Sequence, residues 1–155
     1  TAMADTSELT IPAIARLFVS AFPDRIDFSE RGWASLEDCR YEPRAFWSAL
    51  HSMCTVLYPL YRDGAADKIG EFNSRSRFKF ARGEGPQTRA NSKFMRERKD
   101  EYQGRRLFIE PHICSSVGNP NSPQFIRIYF NWDEETERLV IGDTKHLTNC
   151  TTRKL

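Results

Sequence analysis

The sequence predicts an α+β domain, with N-terminal helices packed on a small antiparallel β-meander. Three observations carry that expectation. Phe46, Leu50, Met53 and Leu57 recur at steps of 4, 3 and 4, the spacing of one helix face. The last third changes to short apolar runs, of which Phe125-Ile126-Arg127-Ile128-Tyr129-Phe130 alternates most strongly. The helical signals also come before the strand signals rather than alternating with them, as an α+β order requires.

A chain of 155 residues is long enough for one core and short for two. The expected organisation is a single domain over 3–155, with a helical part (3–72), a basic loop-helix (73–105) and the meander (106–155). Thr1-Ala2 precede Met3 in the manner of a cloning scar and are left out of fold reasoning.

In order, Thr10-Ile11-Pro12 reads as a helix start. Ile14, Leu17, Phe18 and Ala21 then share a face, and Pro23-Asp24 stops the helix. Residues 24–42 read as a loop with room for one short element. Pro43 opens the second helix, which carries the Phe46–Leu57 stripe until Pro59 and Asp63-Gly64. Residues 65–72 fit a short third helix with Ile69 and Phe72 inward. Arg77-Phe78-Lys79-Phe80 alternates as a strand. Gly83-Glu84-Gly85-Pro86 is a turn that spells neither a P-loop nor GxGxxG. Residues 88–102 read as a polar helix, with Gly104 at its C-terminal cap. Leu107 to Ile113, Phe125 to Phe130 and Arg138 to Ile141 are the three meander strands.

Composition narrows the function classes. The apolar content is 39%, with 11 Phe, 5 Tyr and 3 Trp, which argues against disorder. No run reaches the roughly 18 apolar residues of a membrane helix, so no membrane partner is expected. No leader is evident, and Cys39, Cys54, Cys114 and Cys150 form no CxxC pair. Reduced thiols and a cytoplasmic location are the expectation. The net charge of +2 hides a +7 segment from Arg75 to Arg106, between flanks of −4 (1–71) and −1 (107–155). Such a belt suits a polyanion.

The belt supplies Arg77, Lys79, Arg82, Arg89, Lys93, Arg96, Arg98, Arg105 and Arg106 as candidate phosphate contacts, with Phe78 or Phe80 available either for base stacking or for the core. Along the meander, strand alternation sets Arg127 and Tyr129 opposite Ile126, Ile128 and Phe130. The aliphatic set is expected to face the helices and leave Arg127 and Tyr129 on an open face. His112 ends one strand, and Lys145-His146 follow the last. Such groups suit metal-free RNA cleavage, with no cofactor. A base takes the 2′-hydroxyl proton, an acid protonates the departing 5′-oxygen, and a cation stabilises the charged phosphorus centre. His112 and His146 are the acid–base candidates, Arg127 and Lys145 the cations, and Tyr129 a substrate-orienting group. His112 after Pro111 equally suits a structural role, and Lys145-His146 an exposed turn.

The stretch from Arg105 to Arg153, with its Arg-bearing strand Ile126–Phe130, the strand Leu139-Val140-Ile141-Gly142 and the following Lys145-His146, resembles the RelE- and HigB-type mRNA-cleaving toxins. The resemblance implies RNA contact or chemistry by Arg127 and His146, and ribosome-associated RNA as a target. A protein inhibitor or partner domain is a further expected partner. Two other readings stay open. Asp133 with Asp143 and Lys145 has the D…DxK spacing of a Mg²⁺-dependent nuclease. The domain also fits a non-catalytic module that binds nucleic acid, or docks a protein through its apolar helices.

Overall fold

Thr10 caps the first helix (α1, Ile11–Ala21), its Oγ1 accepting the Ala13 amide at 3.2 Å. The computed structural model describes residues 9–83 and 86–145. Ile11, Ile14, Ala15 and Phe18 form the inward face of α1, whereas Leu17 is 46% exposed. The packed stripe therefore runs through Ala15 and leaves Leu17 at its margin.

The stretch expected to be a loop after α1 holds two elements, a strand (β1, Ile26–Phe28) and a one-turn helix (α2, Glu30–Ala34) capped by Ser29. The Phe46 stripe is borne out: Phe46, Leu50, Met53 and Leu57 are all fully buried. It is carried by α3 (Pro43–Ser52), a π-helical turn over Met53–Leu57 and α4 (Tyr58–Arg62). Pro59 explains the widened turn, because it has no N–H for the Thr55 carbonyl. The Tyr58 amide reaches back to Met53, and Arg25 takes the Cys54 carbonyl at 3.1 Å. A further helix (α5, Lys68–Arg75) buries Phe72.

Strand β2 (Phe78–Ala81) follows, with Phe78 and Phe80 both in the core. The expected long helix over 88–102 is replaced by two short helices, α6 (Pro86–Arg89) and α7 (Ser92–Arg96), and then a hairpin. The hairpin strands are β3 (Lys99–Tyr102) and β4 (Arg105–Phe108). Gln103 and Gly104 both have positive φ, 50° and 76°. That is the two-residue hairpin turn, so Gly104 is not a helix cap. Pro111 separates β4 from β5 (His112–Ser115), so Leu107 and Ile113 belong to different strands. β6 (Arg127–Asp133) and β7 (Arg138–Asp143) complete the chain's strands among the described residues.

The protein is α+β. Its main sheet has the order β1-β7-β6-β5-β2. β5, β6 and β7 are the antiparallel meander. β1 extends it in parallel beside β7, and β2 antiparallel beside β5. The sheet thus draws strands from all three stretches of the sequence. One face packs Ile26, Phe28, Phe78, Phe80, Ile113, Ile126, Ile128, Phe130, Leu139 and Ile141 against the helices. The other carries the β3–β4 hairpin, with a second core of Tyr102, Leu107, Ile109, Tyr129 and Val140.

The hairpin is tied down at both ends. Ser29 Oγ donates to Asp100 at 2.5 Å, and Arg31 bonds Asp143 at 2.9 Å and the Lys99 carbonyl at 3.2 Å. Tyr102 donates to Asp27 at 2.6 Å, and Asn131 donates to the Phe108 carbonyl at 2.7 Å. No helix among the described residues is long and apolar enough to cross a membrane. Cys39, Cys54 and Cys114 are free thiols.

Candidate nucleic-acid interface

Sheet register decides which predicted residues meet. Lys79 lies opposite Cys114, and Cys114 opposite Arg127. These three residues form one row across β2, β5 and β6, on the face turned from the helices. The next row is Ala81, His112, Tyr129 and Asp143.

The alternation predicted for Arg127 and Tyr129 holds, but the expected open face does not extend to Tyr129. The hairpin covers it, and Tyr129 is 0% exposed. Its ring carries the Arg98 guanidinium at 3.8 Å, itself 0% exposed, and it meets the His112 ring at 4.7 Å. Tyr129 therefore cannot orient an external substrate, and Arg98 is a core cation rather than a phosphate contact. Phe78 and Phe80 are likewise packed under the helices and cannot stack on bases.

His112 keeps 8% of its surface. Burial lowers its pKa, the hydrogen bond to Glu110 opposes that, and the positive charges of Arg127 and Arg98 add to the lowering. Its Nδ1 is 3.1 Å from the Glu110 carbonyl oxygen. A carbonyl only accepts, so Nδ1 carries the proton and Nε2 is left with its lone pair.

The basic belt divides. Arg77, Lys79 and Arg82 are exposed on and beside β2, and Lys93, Arg96 and Arg106 are exposed elsewhere. Among the described residues none of these six makes an ion pair. Arg89 instead pairs with Glu110 at 3.0 Å, and Arg105 with Asp133 at 2.7 Å and Glu135 at 2.8 Å.

Lys145 follows β7, its amide held by Asp143 at 2.9 Å and its ammonium 3.8 Å from Asp38. It lines an open cleft with Phe125. Arg127 lies over that same Phe125 ring, 5.1 Å from its centroid. Phe125 is thus shared: it lines the cleft with Lys145, and Arg127, which is not on the lining, lies over its ring. Sequence reasoning missed Phe125, read as the first residue of a strand that in fact starts at Arg127, and Tyr41, read as a loop residue. The signal was the long Pro- and Asn-rich loop before β6, since sites concentrate on loops held by a rigid scaffold. His146 lies outside the described residues, as do Thr148, Cys150, Thr151, Arg153 and Glu84-Gly85.

The D…DxK pattern is not a site. Asp133 opposes Arg138 at one end of the β6–β7 pair and Asp143 opposes Tyr129 at the other. At about 3.3 Å per residue their backbones are on the order of 16 Å apart, too far to share an ion. Asp133 also holds Thr136 and Arg105. Burial alone raises its pKa, but those bonds outweigh burial and keep the carboxyl below its usual range. Asp143 is occupied by Arg31 and the Lys145 amide.

Protein-family models, curated proteins and solved structures give no match.

Proposed function

We propose that the protein binds RNA through its phosphate backbone, along β2 and the uncovered part of the adjoining sheet face. The observation that carries this reading is the cross-strand row of Lys79, Cys114 and Arg127, flanked by the exposed Arg77 and Arg82. Lys79 on β2 and Arg127 on β6, with β5 between them, place two cations along one rigid row, and a polyanion gains by releasing its counterions there. The resemblance to RelE- and HigB-type toxins assigns RNA contact to the same Arg127.

Salt dependence tests it. Binding of an unstructured RNA is measured by fluorescence anisotropy across a salt series. Lys79→Ala is expected to weaken binding at every sequence and to flatten the log–log salt slope by about 1. Unchanged slope in Lys79→Ala and in Arg127→Ala overturns the reading.

A second reading, metal-free cleavage, is favoured by the His112 tautomer. A neutral imidazole with Nε2 unprotonated, on the row beside Arg127, suits removal of a 2′-hydroxyl proton. His112 Nε2 takes the 2′-hydroxyl proton, the 2′-oxygen bonds to phosphorus as the P–O5′ bond breaks, the 5′-oxygen takes a proton from water, and a 2′,3′-cyclic phosphate results. This chemistry commits the ligand to RNA, because DNA lacks the 2′-hydroxyl. Cyclic-phosphate products in the presence of EDTA, absent with DNA and lost in His112→Ala, support it. Intact RNA under those conditions removes the cleavage step and leaves binding.

A further inference from the structure

The segment 38–41 and the loop 120–125 close around the end of β7 and leave a cleft of about 530 Å3. Ligand pockets run from roughly 300 to 1,000 Å3, so the space fits a small organic group. Its chemistry is mixed in an informative way. Phe125 supplies a half-buried aromatic wall, and Arg127, beside the lining rather than on it, lies over the same ring. Arg40 and Lys145 are exposed cations on the lining. The one acid there, Asp38, is almost fully exposed and only 3.8 Å from Lys145, a weak surface pair.

The walls are braced. The Tyr41 hydroxyl accepts the Arg127 amide at 3.1 Å and lies 2.5 Å from the Thr144 carbonyl, joining three elements behind the cleft. The Glu42 amide donates to the Pro123 carbonyl at 2.8 Å, pinning the loop to the start of α3. Within the loop, Asn119 accepts the Asn121 amide at 3.0 Å, and Ser122 accepts the Gln124 amide at 3.2 Å. Asn119 and Ser122 are thus used in shaping the loop. Asn121 is exposed on the lining, and its carboxamide offers both a donor and an acceptor to a ligand.

We propose that this cleft takes one unstacked nucleotide of single-stranded RNA. The base lies against Phe125 with its edge toward Asn121, and the phosphates lie toward Arg127 and Lys145. Flat ring, amide edge and paired cations are the three recognition elements of a nucleotide. The cleft adjoins the Lys79–Arg127 strip through Arg127, so a backbone on the strip can deliver a base to it. The inference rests on the RNA-binding reading and adds a preference for single strands.

The test compares three probes with equal phosphate number: a labelled oligouridylate, an abasic strand and an RNA duplex. The protein is expected to prefer the oligouridylate. Phe125→Ala is expected to lower oligouridylate affinity on the order of tenfold, toward the abasic value, and to leave duplex and abasic binding as they were. Phe125→Tyr keeps a ring and should retain the preference. Asn121→Ala, on an exposed loop with no folding risk, should weaken the oligouridylate alone. Equal affinity for oligouridylate and abasic strand in the parent protein overturns the cleft inference. So does a preference that survives both Phe125→Ala and Asn121→Ala. If Lys79→Ala still weakens all three probes, the backbone-binding reading stands without it. Absence of salt-dependent binding to any probe removes both.

Discussion

The Arg98 guanidinium stacks 3.8 Å from the centre of the Tyr129 ring, and neither side chain has any exposed surface. A desolvated cation over an aromatic face is worth about 2 kcal/mol, and an Asp143 carboxylate oxygen lies 4.0 Å from the same guanidinium. Arg98 thus fastens the hairpin to the sheet. Arg98→Ala is expected to cost about 3 kcal/mol in urea unfolding, since it empties a buried site and withdraws a cation from Asp143. Arg98→Lys keeps the charge, loses the planar stack and should fall between the two. RNA affinity of the folded Arg98→Ala protein should match the parent, in contrast with Lys79→Ala, which should lower affinity and leave stability alone. A weakened RNA complex at full stability in Arg98→Ala would return Arg98 to the surface role that its place in the basic belt suggests.

That contrast shows where the sequence was informative. The helix stripe of Phe46, Leu50, Met53 and Leu57 and the alternation of Ile126, Ile128 and Phe130 were legible because each pattern repeats at the period of its element. The hairpin was not. Lys99-Asp100-Glu101-Tyr102 shows one apolar residue in four, and its polar members face solvent or the Ser29–Arg31 corner rather than a core. Its sequence signal was the turn at Gln103-Gly104, which also fits a helix end. With the hairpin unseen, Tyr129 looked open. The parallel strand β1 was hidden for a related reason, since three residues are too few to show a period. Arg127 and Lys145 were found from strand position alone. Their sharing of Phe125 depends on a loop whose path no periodicity encodes.

Gly32 tests the approach of α2 to the sheet. A methyl group there would run into the Ile141 backbone carbonyl, which cannot swing aside because Ser29 N–H donates to it at 3.0 Å. Gly32→Ala should therefore destabilise by about 2 kcal/mol, even though alanine favours helices. At this chain length that is a fall in Tm of roughly 4–8 °C. A Tm equal to or above the parent's would show that α2 is free to shift outward.

The depressed pKa of His112 sets an acid limit on stability. Burial disfavours its charged form, and Arg127 and Arg98 repel it, against the opposing Glu110 bond. The unfolded chain takes up its proton near pH 6.5, the folded one only below that. Stability from this group is full above about pH 6.5 and is lost as the pH falls from there through the folded value. Urea midpoints at pH 8, 6.5 and 5 should decline in the parent. His112→Gln removes the titration and should flatten that decline. Parallel pH profiles for the two proteins would show that His112 titrates normally.

At the β2 edge of the main sheet the outward amides need partners, because an exposed strand edge normally invites pairing with another chain. On β2 the outward amides are already taken. Phe80 N–H donates to Asn73 Oδ1 at 2.7 Å, and Phe78 N–H donates to Ser76 Oγ at 3.0 Å. Both acceptors come from α5 or the residue that ends it. The helix therefore closes the edge while Lys79, between the two phenylalanines, keeps its exposed side chain on the opposite face. Asn73→Ala should cost about 1–2 kcal/mol for the orphaned amide and raise light scattering on warming. Asn73→Asp, which retains an acceptor, should restore most of both. RNA affinity of the monomeric fraction should be unchanged in either variant, since the strip lies across the strand and not along its edge. Unaltered stability and scattering in Asn73→Ala would mean that water serves the Phe80 amide as well as the side chain does.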